Sequence, residues 1–248
     1  MSRPEDHHIA RLVAEEAGRL LLELRREFEG EPDMLRAEGD ARSHHLIIDA
    51  LQRRAPSDPV LSEEGTADPS RLTSRRVWIV DPLDGTREFG ERGRDDWAVH
   101  VALAFDGNPV AGAVALPARG LTLSTEPAPV LMPRKAGAPR LVVSRTRPPA
   151  LSAILAGHLG AELVPMGSAG AKAMAVVLGE ADVYAHSGGQ YEWDSAAPVA
   201  VAAAAGLHAS RLDGSPLRYN EANPWLPDLL ICRPEFVDEV LSVVAASR

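Results

Sequence analysis

The ten residues Val77-Trp78-Ile79-Val80-Asp81-Pro82-Leu83-Asp84-Gly85-Thr86 constrain this chain more than any other segment. Four apolar residues in a row, three of them β-branched, predict a short buried strand. The strand runs into two aspartates three positions apart, with a proline between them and a glycine straight after. Proline fixes its own φ and keeps Asp81 extended, and Gly85 permits a sharp backbone reversal. Both carboxylates are therefore held on one rigid turn at a strand end, an arrangement that suits hard divalent cations with oxygen ligands.

Two further acidic segments extend this pattern. Upstream, Leu61-Ser62-Glu63-Glu64-Gly65 places a carboxylate pair at the end of an apolar stub. Downstream, Glu192-Trp193-Asp194-Ser195-Ala196-Ala197-Pro198 opens an alanine-rich helix. Glu64, Asp81, Asp84 and Asp194, with the Leu83 carbonyl, would make an oxygen-lined site for two cations, leaving room for water and phosphate. Taken singly, each acid has an ordinary alternative as a helix cap or a turn residue. The three segments in this order fit that alternative poorly.

The segments Ser62-Glu63-Glu64, Asp81-Pro82-Leu83-Asp84-Gly85-Thr86 and Trp193-Asp194-Ser195-Ala196-Ala197 resemble the signature of the inositol monophosphatase superfamily of Mg²⁺-dependent, lithium-sensitive phosphatases. The resemblance covers nearly the whole chain. It implies a layered α/β fold of the inositol monophosphatase and fructose-1,6-bisphosphatase type, with helix, sheet, helix, sheet and helix in alternation. It also implies a phosphomonoester hydrolase using two Mg²⁺, with a third site depending on the Asp40 segment. By the same resemblance, Glu64, Asp81 and the Leu83 carbonyl hold the first ion. Asp81 bridges to a second ion, held also by Asp84 and Asp194. The amides of Gly85 and Thr86 face the phosphate, the Thr86 hydroxyl accepts a hydrogen bond from the attacking water, and Asp40 matches the family aspartate that, with a threonine of its own motif, orients that water. Near residue 40 the chain departs from the family pattern, since Leu35–Ser43 lacks its lysine and its threonine. Asp40 as the N-cap of a second helix is the other reading there.

Substrate class rests on Gly167-Ser168-Ala169-Gly170-Ala171-Lys172-Ala173-Met174, which looks like the family's substrate-binding helix start. Lys172 is similar to the lysine of the 3′-phosphoadenosine 5′-phosphate phosphatase (CysQ-type) branch. It would hold the phosphate that is not cleaved, helped by Ser144 and Arg145. The expected activity is that of a 3′(2′),5′-bisphosphate nucleotidase. Inositol 1-phosphate and fructose 1,6-bisphosphate are the alternative substrates, and a non-catalytic metal-binding regulatory protein is the alternative of another class.

The net charge of −9, without a basic stripe, argues against a nucleic-acid polymer as partner and leaves a small phosphorylated substrate. Cys232 is the single cysteine, so an internal disulfide is excluded. No apolar stretch approaches about 18 residues and the N-terminus has no signal-peptide pattern, so a cytoplasmic protein is expected, with room for a homodimer.

Apolar spacing predicts a helix from Ile9 to Phe28, ended by Gly30 and Pro32, and a second from about Arg42 to Arg54. Residues 97–123 read as an antiparallel meander, and the proline-rich stretch 126–139 as a link. Beyond it strands (141–144, 162–166, 182–185, 229–232) alternate with helices (148–159, 168–180, 194–205, 234–246). The expected division is an N-terminal α+β half, 1–133, carrying the metal loop, and a C-terminal α/β half, 134–248, completing the site as one unit.

Overall fold

The structure, a computed structural model, describes residues 2–66 and 68–247. Two long helices open the chain, α1 (Pro4–Glu27) and α2 (Pro32–Arg54). They are followed by β1 (Val60–Ser62), β2 (Arg76–Asp84), the short α3 (Thr86–Gly90), β3 (Ala98–Phe105), β4 (Asn108–Leu116) and β5 (Leu121–Ser124). These strands form one sheet in chain order, with β1 parallel to β2 and every other pair antiparallel. After residues 125–139 come β6 (Arg140–Ser144), α4 (Ala150–Leu159), β7 (Glu162–Met166), α5 (Ala169–Val177), β8 (Val183–Tyr191), α6 (Glu192–Ala204), β9 (His208–Ser210), β10 (Trp225–Cys232) and α7 (Val237–Ala246). The second sheet runs β7-β6-β8-β10-β9.

Period-two alternation along the strands stacks these elements into five layers. In β2 and β3, Trp78, Val80, Val99, Val101 and Leu103 face α1 and α2. Their neighbours Val77, Ile79, Ala98 and Ala102 face the opposite way, onto α5, α6 and one face of the second sheet (Val142, Tyr184, Leu229, Ile231). Leu141, Val143, Val183 and Leu230 on the far face of that sheet meet α4 and α7. The alanine run of α6 follows from this packing, because a Cβ on Gly112 of β4 would lie 3.1 Å from Ala200 Cβ and 3.3 Å from Ala197 Cα. Only small side chains allow helix and sheet to approach so closely.

Pro32 does not stop a helix; it starts one. It occupies the first turn of α2, where its fixed φ suits the helix and its missing N–H has no partner to lose. The second helix therefore begins ten residues before the expected Arg42, and Asp40 lies in its interior, not at an N-cap. Strands β8 and β10 also run further than the apolar pattern predicted, to Tyr191 and back to Trp225. Among the described residues no helix is long and apolar enough to cross a membrane.

Candidate active site

The central acids are placed by a bulge. Asp81 pairs with His100 on β3 and Asp84 with Ala98, so three steps along β2 face two along β3. Leu83 N–H donates to Asp81 Oδ1 at 3.0 Å, and Ser43 Oγ of α2 donates to the Pro82 carbonyl at 2.6 Å, pinning the loop. Gly85 follows in the left-handed region (φ 85°), and a Cβ there would come 2.9 Å from Ser168 Cβ. Asp194 enters from the first turn of α6, its Oδ2 accepting the Tyr191 N–H at 2.6 Å. Oxygens of Asp81, Asp84 and Asp194 all lie within 4.8 Å of one another.

The three carboxylates have different electrostatic surroundings. Asp84 caps α5, accepting from Ala169 N–H at 3.1 Å and Gly170 N–H at 2.6 Å. Burial works against its charge, but His100 and these amides prevail and hold its pKa down to about 2. Asp81 is pushed up strongly by burial and by the charges of Glu63, Asp84 and Asp194. Burial and Asp84 likewise raise Asp194 to about 6. Crowded, partly protonated carboxylates with only oxygen donors fit a hard divalent cation, which would displace those protons and neutralise the repulsion.

The expectation for Glu64 needs correction, because the structure brings Glu63 to the cluster in its place. Glu63 interacts electrostatically with Asp81, and its pKa is raised to about 7 by burial and by the charge of Asp194. Glu64 instead acts on Asp40 and on His44 of α2. The cause is the β1–β2 register. Ser62 pairs with Val80, and Glu63 N–H reaches the Val80 carbonyl at 3.4 Å, so the next residue along β1 stands beside Asp81.

Asp40 projects from mid-α2 to 3.4 Å from Thr86 Oγ1, and the same hydroxyl donates to the Leu83 carbonyl at 3.1 Å. Burial and the Glu64 charge raise Asp40 to about 7. Thr86 and Asp40 are thus adjacent, although the family's threonine near residue 40 is missing.

A cavity of about 510 Å³ opens beside the acids. Asp84, Gly85, Thr86, Ser144, Arg145, Gly167, Ser168, Lys172 and Asp194 all line it. Two of these do not present themselves as expected. The Lys172 ammonium is buried, donates to the carbonyls of Gly167 and Ser168, and stands 5.4 Å from the Tyr184 ring centroid. Burial lowers its pKa. Arg145 is spread across Glu88 at 2.5 Å and Glu91 at 2.6 Å, tying the second sheet to α3. Ser144 Oγ accepts the Arg147 N–H at 3.2 Å. Sequence reasoning missed His100, Trp225 and the cavity-lining Arg87, and named Glu63 only as one of a carboxylate pair. Of these His100 carried a signal, as the one ionisable side chain in the apolar run of β3.

The sequence profile of the Inositol monophosphatase family matches residues 7–229. The chain belongs to the inositol monophosphatase family. This family member is 52% identical over 242 residues to the 3′-phosphoadenosine 5′-phosphate phosphatase of Mycobacterium tuberculosis (strain CDC 1551 / Oshkosh), covering 93% of this chain and 90% of the relative. It is 34% identical over 201 residues to the 3′(2′),5′-bisphosphate nucleotidase CysQ of Escherichia coli (strain K12), covering 75% and 80%. The crystal structure of CysQ from Bacteroides thetaiotaomicron shares its fold with a TM-score of 0.80 at 26% identity, over 92% of this chain and 97% of that one. The family is metal-dependent, and the Asp81, Asp84 and Asp194 cluster is a place in this member where a metal can bind.

Proposed function

We propose that this family member is a Mg²⁺-dependent 3′(2′),5′-bisphosphate nucleotidase, converting 3′-phosphoadenosine 5′-phosphate and water to adenosine 5′-phosphate and phosphate. The observation that carries this reading is the 52% identity, over 93% of the chain, to a 3′-phosphoadenosine 5′-phosphate phosphatase. The large cavity beside the acids supports it.

Glu63, Asp81, Asp84 and Asp194, with the Leu83 carbonyl, are the groups that would hold the metal. When bound, Mg²⁺ neutralises the phosphoryl oxygens and lowers the pKa of a coordinated water. The chain's own residues do the rest. Asp40, raised to about 7, is poised to take a proton near neutral pH from a water seated at Thr86 Oγ1. Gly85 and Thr86 open α3, whose first N–H groups have no helical partner, and both line the cavity where the phosphate would lie. Arg87 and Arg147 on the rim add positive charge for a second phosphate. Lys172 serves by holding the Gly167-Ser168 turn that presents Ala169 and Gly170 N–H to Asp84.

Phosphate release from 3′-phosphoadenosine 5′-phosphate, inositol 1-phosphate and fructose 1,6-bisphosphate, each with Mg²⁺ and with chelator, tests the reading. The expected result is a kcat/KM highest on the nucleotide and abolished by chelation. Preference for inositol phosphate would make this an inositol monophosphatase.

A further inference from the structure

The cavity is lined by two chemically different sets of side chains. One is the acids. The other is the aromatic pair Tyr191 and Trp225, beside Gly188 and Gly189. The chain contains four Trp, three Tyr and four Phe. Among the described residues only Tyr191 and Trp225 of these are exposed, at 46% and 47%, and both line this one cavity. Exposed rings in a concave site beside a catalytic cluster are a feature to be explained, because apolar surface is ordinarily covered.

Both rings are held in place. Trp225 of β10 pairs directly with Tyr191 of β8, so their side chains leave the sheet on the same face about 5 Å apart at Cβ. The Tyr191 ring lies flat on Trp193, with centroids 4.7 Å apart and planes 9° from parallel. The Trp225 indole rests on bare glycine backbone, since a Cβ on Gly189 (φ 88°) would stand 2.6 Å from Nε1 and 2.8 Å from Cζ2. Tyr191 is also bound to the acids, through its N–H on Asp194 Oδ2. A rigid aromatic wall therefore begins three residues from a metal-binding carboxylate.

From this wall we infer that Tyr191 and Trp225 form the stacking platform for the base of the substrate, and so act as specificity-determining residues that separate nucleotides from sugar and inositol phosphates. The inference rests on the nucleotidase reading above. A planar base presents a π-face to such rings, whereas an inositol or a ribose presents only hydroxyls and C–H edges. Stacking tolerates any base, so guanosine 3′,5′-bisphosphate should be accepted as well as the adenosine compound.

The test compares kcat/KM on 3′-phosphoadenosine 5′-phosphate with kcat/KM on ribose 3,5-bisphosphate, which carries the same phosphates and no base. In Trp225→Ala and in Tyr191→Ala that ratio should fall about 10- to 100-fold, mainly through KM for the nucleotide, and Trp225→Phe should restore most of it. Residual turnover of the base-free substrate reports that each variant is folded. A ratio that stays at the parental value in both alanine variants overturns the platform and leaves the nucleotidase reading standing. A parent that releases no phosphate from the nucleotide overturns the reading and the platform together.

Discussion

His100 Nε2 stands 3.2 Å from Asp84 Oδ2, on a fully buried ring paired across the sheet with Asp81. The N–H is poorly aligned with that oxygen, so the contact is an ion pair more than a hydrogen bond. On the other side, Nδ1 lies 3.0 Å from the Trp193 carbonyl, which can only accept, so Nδ1 carries a proton. A second proton on Nε2 is what pairs with Asp84. One imidazolium thus ties the β2 bulge to the first turn of α6, and hence Asp84 to Asp194.

Burial opposes the His100 charge, yet Asp84 outweighs it and the pKa is raised above its ordinary 6.5. A raised pKa contributes stability that is complete below the unfolded value and lost as pH rises through the folded one. In the metal-free protein, His100→Gln should therefore cost about 1.5–3 kcal/mol under mildly acidic conditions, and less under alkaline ones. Urea unfolding of parent and variant in chelator, across that range, measures it. A cost that does not change with pH would refute the charged pair.

Glu63 and Glu64 give a sharper contrast, because the resemblance pointed to one and the register to the other. Glu63→Gln removes a charge beside Asp81 and should lower kcat by about 100-fold or more. Glu64→Gln touches only the surroundings of Asp40 and His44, and should change kcat by less than about tenfold. The reverse ranking would restore Glu64 as the ligand.

That pair shows where sequence legibility ended. The strand at Val77, its double-aspartate turn, the meander and the alternation after residue 140 are local patterns, and local patterns can be read from a sequence. Choosing between adjacent glutamates requires knowing that Ser62 pairs with Val80, a long-range fact. The alternative reading of Asp40 as an N-cap fails because Pro32, which ends a helix by composition, begins α2 by position. Trp225 was invisible because its strand carries a proline, Pro227, and extends only against the glycine-bearing bulge of β8. Lys172 was visible as a cation at a helix start, but the face it occupies is set by burial of α5 between the two sheets.

The position of Lys172 changes what its removal should do. A lysine gripping the uncleaved phosphate would, when lost, raise KM for the nucleotide selectively. A buried ammonium satisfying the Gly167 carbonyl leaves it unpaired in Lys172→Met, while Ser168 keeps the backbone N–H of residue 172, at a cost of about 1–3 kcal/mol of stability. Because those residues position the amides that hold Asp84, kcat/KM should drop by similar factors on 3′-phosphoadenosine 5′-phosphate and on inositol 1-phosphate. A loss confined to the nucleotide would return Lys172 to the role of phosphate ligand.

Mg²⁺ should stabilise the protein more as pH rises. Asp194 is raised from 3.8 to about 6, Glu63 from 4.5 to about 7, and Asp81 is raised strongly. For each, the stability gained by holding a proton is complete below the ordinary carboxylate pKa and lost as pH climbs through the folded value. In chelator, Tm should accordingly fall from about pH 5 to about pH 8, as repelling charges accumulate in a buried site. A cation binding the native state adds RT ln(1 + [L]/Kd), about 2.7 kcal/mol at a hundredfold excess over Kd, and binds best once those protons have left. The rise in Tm on adding millimolar Mg²⁺ should thus be small near pH 5 and largest near pH 8. Asp81→Asn should be more stable than the parent in chelator near pH 8 and nearly indifferent to Mg²⁺, since it removes the most crowded charge along with the ligand. Thermal scans of both proteins over this grid decide the matter: a Mg²⁺ increment independent of pH, or retained in Asp81→Asn, would mean that the cation binds elsewhere.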